Sequence, residues 1–262
     1  MSEPPILLTR DARGIAEVTL NRPARGNAYD GAMLEAIIAG LDDLATDASL
    51  RALVIRGAGR HFQAGADLEW QLGLTAASPD QALAGSLATT RAMQKLNEFP
   101  VPTFALVQGA CFGGGVGVVC CVDVALATPD AIFGITEVRV GVAPSPISTH
   151  MVNALGLRQA RRYALTGERF DAAEALRIGL VHEVIAAEAI EARLQHILAE
   201  TLLSAPGATR VAKRSMLEAN ALTLDADAMM ALAQESRQQR ASPEAREGLT
   251  AFREKRRPNW AG

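Results

Sequence analysis

The sequence predicts an α/β core followed by a helical C-terminal region, and three observations carry that expectation. Strand and helix signals alternate over the first two thirds of the 262 residues, the pattern of strands covered by helices in layers. Beyond about residue 186 the signals are helical, with no strand among them. Hydrophobic residues make up 49% and charged residues 21%, the balance of an ordinary globular chain. A chain of this length buries about three quarters of its unfolded surface, so it folds without disulfide or metal staples.

The elements follow in order. Residues 6–9 and Ile15–Leu20 read as short strands around a turn at 11–14. Asp30 is placed as the N-cap of a helix over 32–44, where Leu34, Ile37, Ile38, Leu41 and Leu44 recur at helical spacing. Residues 52–56 form a buried strand that runs into the loop 57–66. A helix is expected at 79–99, a strand at 103–108, a helix opening at 113–121, and strands at 122–127 and 132–133. Helices are then expected at 187–203, 208–219, 224–240 and 243–253, so the division falls between 1–186 and 187–262. A helical tail of this kind packs on a neighbour or a partner subunit.

Composition excludes several functions. The 26 Lys and Arg against 29 Asp and Glu leave a net charge of −3, with no general attraction for nucleic acid. Cys120 and Cys121 are adjacent and Cys111 stands apart, which fits neither a disulfide framework nor a zinc ribbon. Buried, inert thiols are expected there. The N-terminus lacks the basic and apolar regions of a signal peptide, which points to the cytoplasm. Residues 99–122 carry no charge and are long enough to span a membrane. Pro100, Pro102, Gly109 and the glycines from 113 break that run into a strand, a turn and a helix, so no membrane is expected as partner.

No hydrolase elbow and no phosphate loop occurs. His61, His150, His182 and His196 are scattered, and no metal site is expected. Gly115-x-Gly117-x-x-Cys120 falls short of a dinucleotide fingerprint, with Cys in the third position and no carboxylate in an obvious strand-end position about 20 residues on.

Two segments carry chemistry. One is the loop His61-Phe62-Gln63-Ala64-Gly65-Ala66-Asp67-Leu68, after a strand. The other joins a strand to a helix through Gly109, Cys111 and the triplet Gly113-Gly114-Gly115. Glycines at a helix start expose backbone N–H groups, and the helix dipole adds positive potential. That place suits an oxygen gaining negative charge. The same glycines would also permit close helix–sheet packing, and spacing alone leaves both open.

At this point a resemblance is specific. Residues 62–68 resemble the F-x-A-G-A-D-L loop of the crotonase superfamily, the enoyl-CoA hydratase/isomerase family. Asn21-Arg22-Pro23 with Asn27-Ala28, Val101-Pro102-Thr103, the glycine triplet, Asp123, Phe133-Gly134-Ile135-Thr136-Glu137 and Leu165-Thr166-Gly167 follow in the family's order. The resemblance runs from about residue 6 to the C-terminus. It implies a spiral of β-β-α turns with a C-terminal helical region for trimerisation, as a homotrimer or dimer of trimers. It also implies an acyl-CoA thioester substrate and no cofactor, coenzyme A being part of the substrate.

By position in the family, the N–H groups of Ala66 and Gly114 form an oxyanion hole, and Glu137 is the general acid and base. Arg25, Ala28, Ala64, Gly65, Asp67, Leu68, Gly113 and Gly117 are expected to line the substrate, with the region of Ala64 and Ala66 near the adenine ring. The sequence departs from typical hydratases at one point. They carry two glutamates, and the first position here is Gly117. Family isomerases also keep only the second.

The segment Gly141-Val142-Ala143-Pro144-Ser145-Pro146 and the ending Lys255-Arg256-Arg257-Pro258-x-Trp260 look like bacterial 3-methylglutaconyl-CoA hydratases and their isohexenylglutaconyl relatives. Their substrates bear a distal carboxylate, for which Arg139 and His150 are candidate partners. Arg22, Arg25, Arg56, Arg60, Lys213 and the run 253–257 are candidates for the CoA phosphates, or simply a solvated face. The leading expectation is hydration of a branched 2-enoyl-CoA. Enoyl-CoA isomerisation, thioester hydrolysis and a non-catalytic binding protein on the same fold stand beside it.

Overall fold

The computed structural model describes residues 3–140 and 142–220, together with positions 243, 247, 254, 256, 257 and 259. The helices expected at 224–240 and 243–253 lie outside the continuous described stretches. The chain divides into two compact units, one of Met1–Phe99 with Thr103–Glu191, the other of Pro100–Pro102 with Ala192–Gly262.

The first unit holds two sheets. Strands β1 (Ile6–Arg10), β2 (Ile15–Leu20), β3 (Ala52–Gly57), β4 (Thr103–Val107), β6 (Val124–Ala127) and β9 (Glu183–Val184) form one, in that spatial order. Its β1–β2 edge is an antiparallel hairpin and every later pair is parallel. The other sheet holds β5 (Ala110–Phe112), β7 (Ile132–Gly134) and β8 (Arg169–Asp171). All five residues of β4 are buried, the apolar run expected of a central parallel strand covered on both faces.

The turn of the fold repeats. β4 lies in the large sheet, β5 in the small one, and helix α4 (Gly114–Cys121) follows. β6 lies in the large sheet, β7 in the small one, and helix α5 (Ser145–Thr166) follows. The loop after β3 touches the small sheet through a parallel bridge between Gln63 and Cys111, before helices α2 (Leu68–Ala76) and α3 (Pro79–Asn97). This is the spiral of β-β-α turns. Successive turns are tied by side chains: the Thr103 amide and hydroxyl both donate to Asp123 Oδ2, at 2.7 and 2.8 Å, joining the starts of β4 and β6.

Local chemistry sets the helix starts. Asp30 caps α1 (Gly31–Ala45), accepting from the Met33 amide at 2.9 Å as expected. Met33, Leu34, Leu41 and Leu44 form its buried stripe. Ser78 and Gln81 form a capping box on α3. Asp67 caps α2 and Asp171 caps α6 (Ala172–Arg177). Helix α5 was not anticipated from sequence. It is broken at Gly156, whose φ of 72° and ψ of 151° are not helical, so no single apolar period runs through it.

Helix α7 (Ile190–Leu202) begins at the end of the first unit. In the second unit lies helix α8 (Pro206–Ala219), where Lys213 donates to the Val101 carbonyl at 3.2 Å. Among the described residues no helix is long and apolar enough to cross a membrane.

Candidate active site

Two loops of the first unit are locked together by main-chain hydrogen bonds. The Phe62 amide donates to Gln108 O at 2.8 Å, Gln63 to Ala110 O at 3.1 Å, and Phe112 back to Gln63 O at 2.9 Å. Tyr29 holds the other side of the first loop: its amide donates to Gly65 O at 2.9 Å and its carbonyl accepts from Asp67 at 2.8 Å. In extended chain, alternate residues turn their amides to opposite sides. Ala66 therefore points its N–H away from Tyr29's backbone, and that amide donates no hydrogen bond among the described residues.

Asn27 and His61 hold this loop from behind. Asn27 is fully buried at φ 57°, and its Nδ2 donates to Ala58 O at 2.9 Å and His61 O at 2.7 Å. His61 Nδ1 accepts from the Ala110 amide at 3.0 Å, so this histidine is structural. His182 does the same for β6, accepting from Ala125.

The glycine triplet has a separate reason at each position. Gly113 adopts φ 51°, ψ −116°, a conformation side chains avoid, and a Cβ there would lie 2.9 Å from Glu137 Oε1. A Cβ on Gly114 would lie 2.4 Å from Tyr29 Cε1, and one on Gly115 2.6 Å from Gln63 O. The Gly113 amide donates to Gly134 O at 2.9 Å, while Gly114, first residue of α4, leaves its N–H without an acceptor among the described residues. The helix dipole adds to that amide's pull on negative charge.

Ala66 and Gly114 both line a cavity of 260 Å³, with Ala64, Gly65, Leu68, Gly113, Thr136 and Glu137. A second cavity of 510 Å³ shares Tyr29, Gln71, Gly114, Glu137 and Val142 with the first, and extends to Trp70, Leu83, Leu87 and Ile147. Glu137 thus stands in the wall common to both. Its Oε2 is buried and has no hydrogen-bond partner among the described residues. Burial raises its pKa above the ordinary glutamate value.

Several expected residues lie elsewhere. Gly117 lines neither cavity: Ile147 Cγ2 and Met93 Sδ cover its Cα face. Asp67 is also off the cavities. Its carboxylate accepts from the Glu69 and Trp70 amides at 3.0 and 3.4 Å and pairs with Arg22 at 3.0 Å, which together hold its pKa low despite the cost of burial. Ala28 is buried under Arg22, whose Nη1 donates to the Ala28 carbonyl at 2.5 Å. Arg25 is exposed, in the 3-10 turn Pro23–Arg25.

Arg139 is exposed and runs along Gly167, and His150 lies on α5 with Nδ1 buried and unpartnered among the described residues; neither lines either of these two cavities. Of the phosphate candidates, Arg56 pairs with Glu17 and Glu191, and Arg256 with Glu247 and Glu254. Sequence reasoning missed Tyr29, Trp70, Gln71 and Thr89. The one usable signal was Asp67 before Leu68-Glu69-Trp70, an N-cap pattern that places Trp70 and Gln71 on a helix beside the loop.

The arrangement suits acyl-thioester chemistry. Two free amides can hold an oxygen that gains charge, and a buried carboxyl beside them can carry a proton. Structures similar to this one include Pseudomonas aeruginosa AtuE, at TM-score 0.94 and 39% identity over 98% of this chain and 100% of that one. An enoyl-CoA hydratase from Shewanella pealeana has TM-score 0.93 and 34% identity, over 98% and 96%. The 2,3-dehydroadipyl-CoA hydratase of Escherichia coli is 32% identical across the full length of both chains. The sequence profile of the enoyl-CoA hydratase/isomerase family matches residues 10–262, and the chain belongs to that family.

Proposed function

We propose that this enzyme adds water across the 2,3 double bond of a branched enoyl-CoA of the 3-methylglutaconyl type. The observation that carries the proposal is the buried, unpartnered Glu137 Oε2 in the wall shared by the two cavities. Attack of water at C3 moves the double-bond electrons toward the thioester oxygen, where the Ala66 and Gly114 amides stabilise the charge. Glu137 removes a proton from water and returns it to C2. Coenzyme A is carried by the substrate, and the mechanism calls on no other cofactor or metal.

The larger cavity supplies the room for a branched chain, walled by Trp70, Leu74, Leu83, Leu87 and Ile147. The Ser86, Thr89 and Thr90 hydroxyls in its wall donate back to the Ala82, Gly85 and Ser86 carbonyls, which leaves the Gln71 side-chain amide as a donor there. That amide suits the far carboxylate of a glutaconyl chain, and the Escherichia coli relative is named for 2,3-dehydroadipyl-CoA. The helical C-terminal region serves assembly as a homotrimer or a dimer of trimers.

A second reading, 3-enoyl- to 2-enoyl-CoA isomerisation, is favoured by the hydrophobic cover over Gly117, which leaves one carboxylate at the site. A panel of 2-enoyl, 3-enoyl and glutaconyl-type CoA esters separates the two by product mass. A gain of one water on the glutaconyl-type ester is expected. Isobaric conversion of the 3-enoyl ester alone would replace hydration with isomerisation.

A further inference from the structure

Tyr29 faces the same gap as Glu137. It is 6% exposed and lines both cavities. Its ring passes so close to α4 that a Cβ on Gly114 would stand 2.4 Å from Cε1 and 3.2 Å from Oη. A Cβ on the preceding Gly113 would stand 2.9 Å from Glu137 Oε1. Phenol oxygen and carboxyl thus approach adjacent residues of one glycine turn. Trp70 braces the ring edge-on, with centroids 5.7 Å apart at 63°.

The oxygen's acceptor capacity does not depend on where its proton turns. The Thr89 hydroxyl, in the wall of the same cavity, donates its one proton to the Gly85 carbonyl at 3.2 Å, back along α3. A phenol oxygen keeps an acceptor lone pair whichever way its own O–H points, so Tyr29 Oη can accept from a water in the cavity.

We infer that Tyr29 Oη and Glu137 together hold the attacking water, the phenol standing in for the carboxylate absent at Gly117. The inference rests on the hydration reading above. One water O–H points to Glu137 and the other to Tyr29 Oη, which aims a lone pair of the water oxygen at C3. As the O–C3 bond forms, the C2=C3 electron pair moves toward the thioester oxygen and Glu137 takes one water proton. Glu137 then delivers that proton to C2. The second hydrogen stays on the new C3 hydroxyl, and the phenol never ionises. Burial first, and the Glu137 charge after it, push the Tyr29 pKa up to about 12, so the phenol stays intact at working pH.

Tyr29→Phe removes Oη and keeps the ring. Two rates are read: hydration of the enoyl ester, and deuterium exchange at C2 of the matching saturated ester. Exchange uses Glu137 and the two amides without a held water. Hydration should fall about 100-fold in Tyr29→Phe, with exchange kept within about threefold. Hydration retained in Tyr29→Phe, or both rates falling equally, overturns the water-holding role. If the wild-type protein exchanges C2 protons yet hydrates no ester, the hydration reading itself falls, and this role with it.

Discussion

Ile147 Cγ2 lies 2.4 Å from the point where a Cβ on Gly117 would stand, and Met93 Sδ lies 3.4 Å from it. The position that carries a glutamate in two-carboxylate hydratases is thus closed by apolar atoms. Gly117→Glu should therefore fail to restore a second carboxylate. It should cost about 3 kcal/mol or more through overpacking and a buried charge, read as a lowered urea midpoint. Ile147 also lines the larger cavity, so Ile147→Ala in the same chain opens space for the new side chain. The double variant should regain at least half of that loss; a double variant less stable than Gly117→Glu alone would contradict the packing argument.

Glu137 sets the acid limb of the pH profile. Burial raises its pKa above 4.5, and the carboxylate is the form that takes a proton from water. The value of kcat/KM should fall with acidification through a pKa above the ordinary glutamate range, and a limb at or below about 4.3 would refute it. The sign for stability is opposite. A carboxyl whose folded pKa is raised stabilises the fold while protonated, and that contribution is lost as pH rises through the raised pKa. Glu137→Gln should thus melt at or above wild type at pH 7, with the gap closing in acid below the ordinary value, while turnover is abolished.

The two free amides are tested without adding atoms. A Cβ on Gly114 would strike Tyr29, so side-chain substitution there confounds the result. Replacing the Ala66 peptide N–H by an ester oxygen through chemical synthesis removes one donor and no contact. A fall in kcat of about 10²–10³ is expected. Unchanged turnover in the folded ester variant would remove Ala66 from the oxyanion role.

Asp67 acts on structure. Its Oδ1 caps α2 and its Oδ2 meets Arg22, which also pairs with Asp30 at 3.1 Å. Asp67→Ala should cost about 1–2 kcal/mol, the scale of a lost N-cap. Asp67→Asn keeps an oxygen for the cap and should leave KM for the CoA ester within about threefold, since lost cap geometry and not lost charge is what moves the loop. A tenfold rise in KM for Asp67→Asn would return the carboxylate to substrate contact.

Asn27 offers a further check on the loop support. Asn27→Ala loses two side-chain donors, to Ala58 and His61, and the acceptor used by the Arg22 amide at 2.9 Å. It also leaves alanine at φ 57°. A loss of about 3 kcal/mol is expected from denaturant unfolding, against little change for an exposed residue such as Arg25.

The sequence by itself determined the α/β class, the N-cap at Asp30, the strands at 15–20 and 52–56, and the glycine turn at 113–115, because each rests on local period or on residues with special backbone freedom. The ordered motifs also determined the family and singled out Ala66, Gly114 and Glu137. Only the tertiary structure decided what each glycine clears, since Glu137, Tyr29 and Gln63 are remote in sequence from the turn they crowd. Tertiary structure likewise assigned Asp67 to a cap, His61 to a loop brace and Gly117 to a packed wall. It brought Tyr29, from the start of the chain, into one cavity wall with Thr89, on a helix 60 residues later. Such pairings depend on how strands and helices stack, and no pattern along one stretch of chain encodes them.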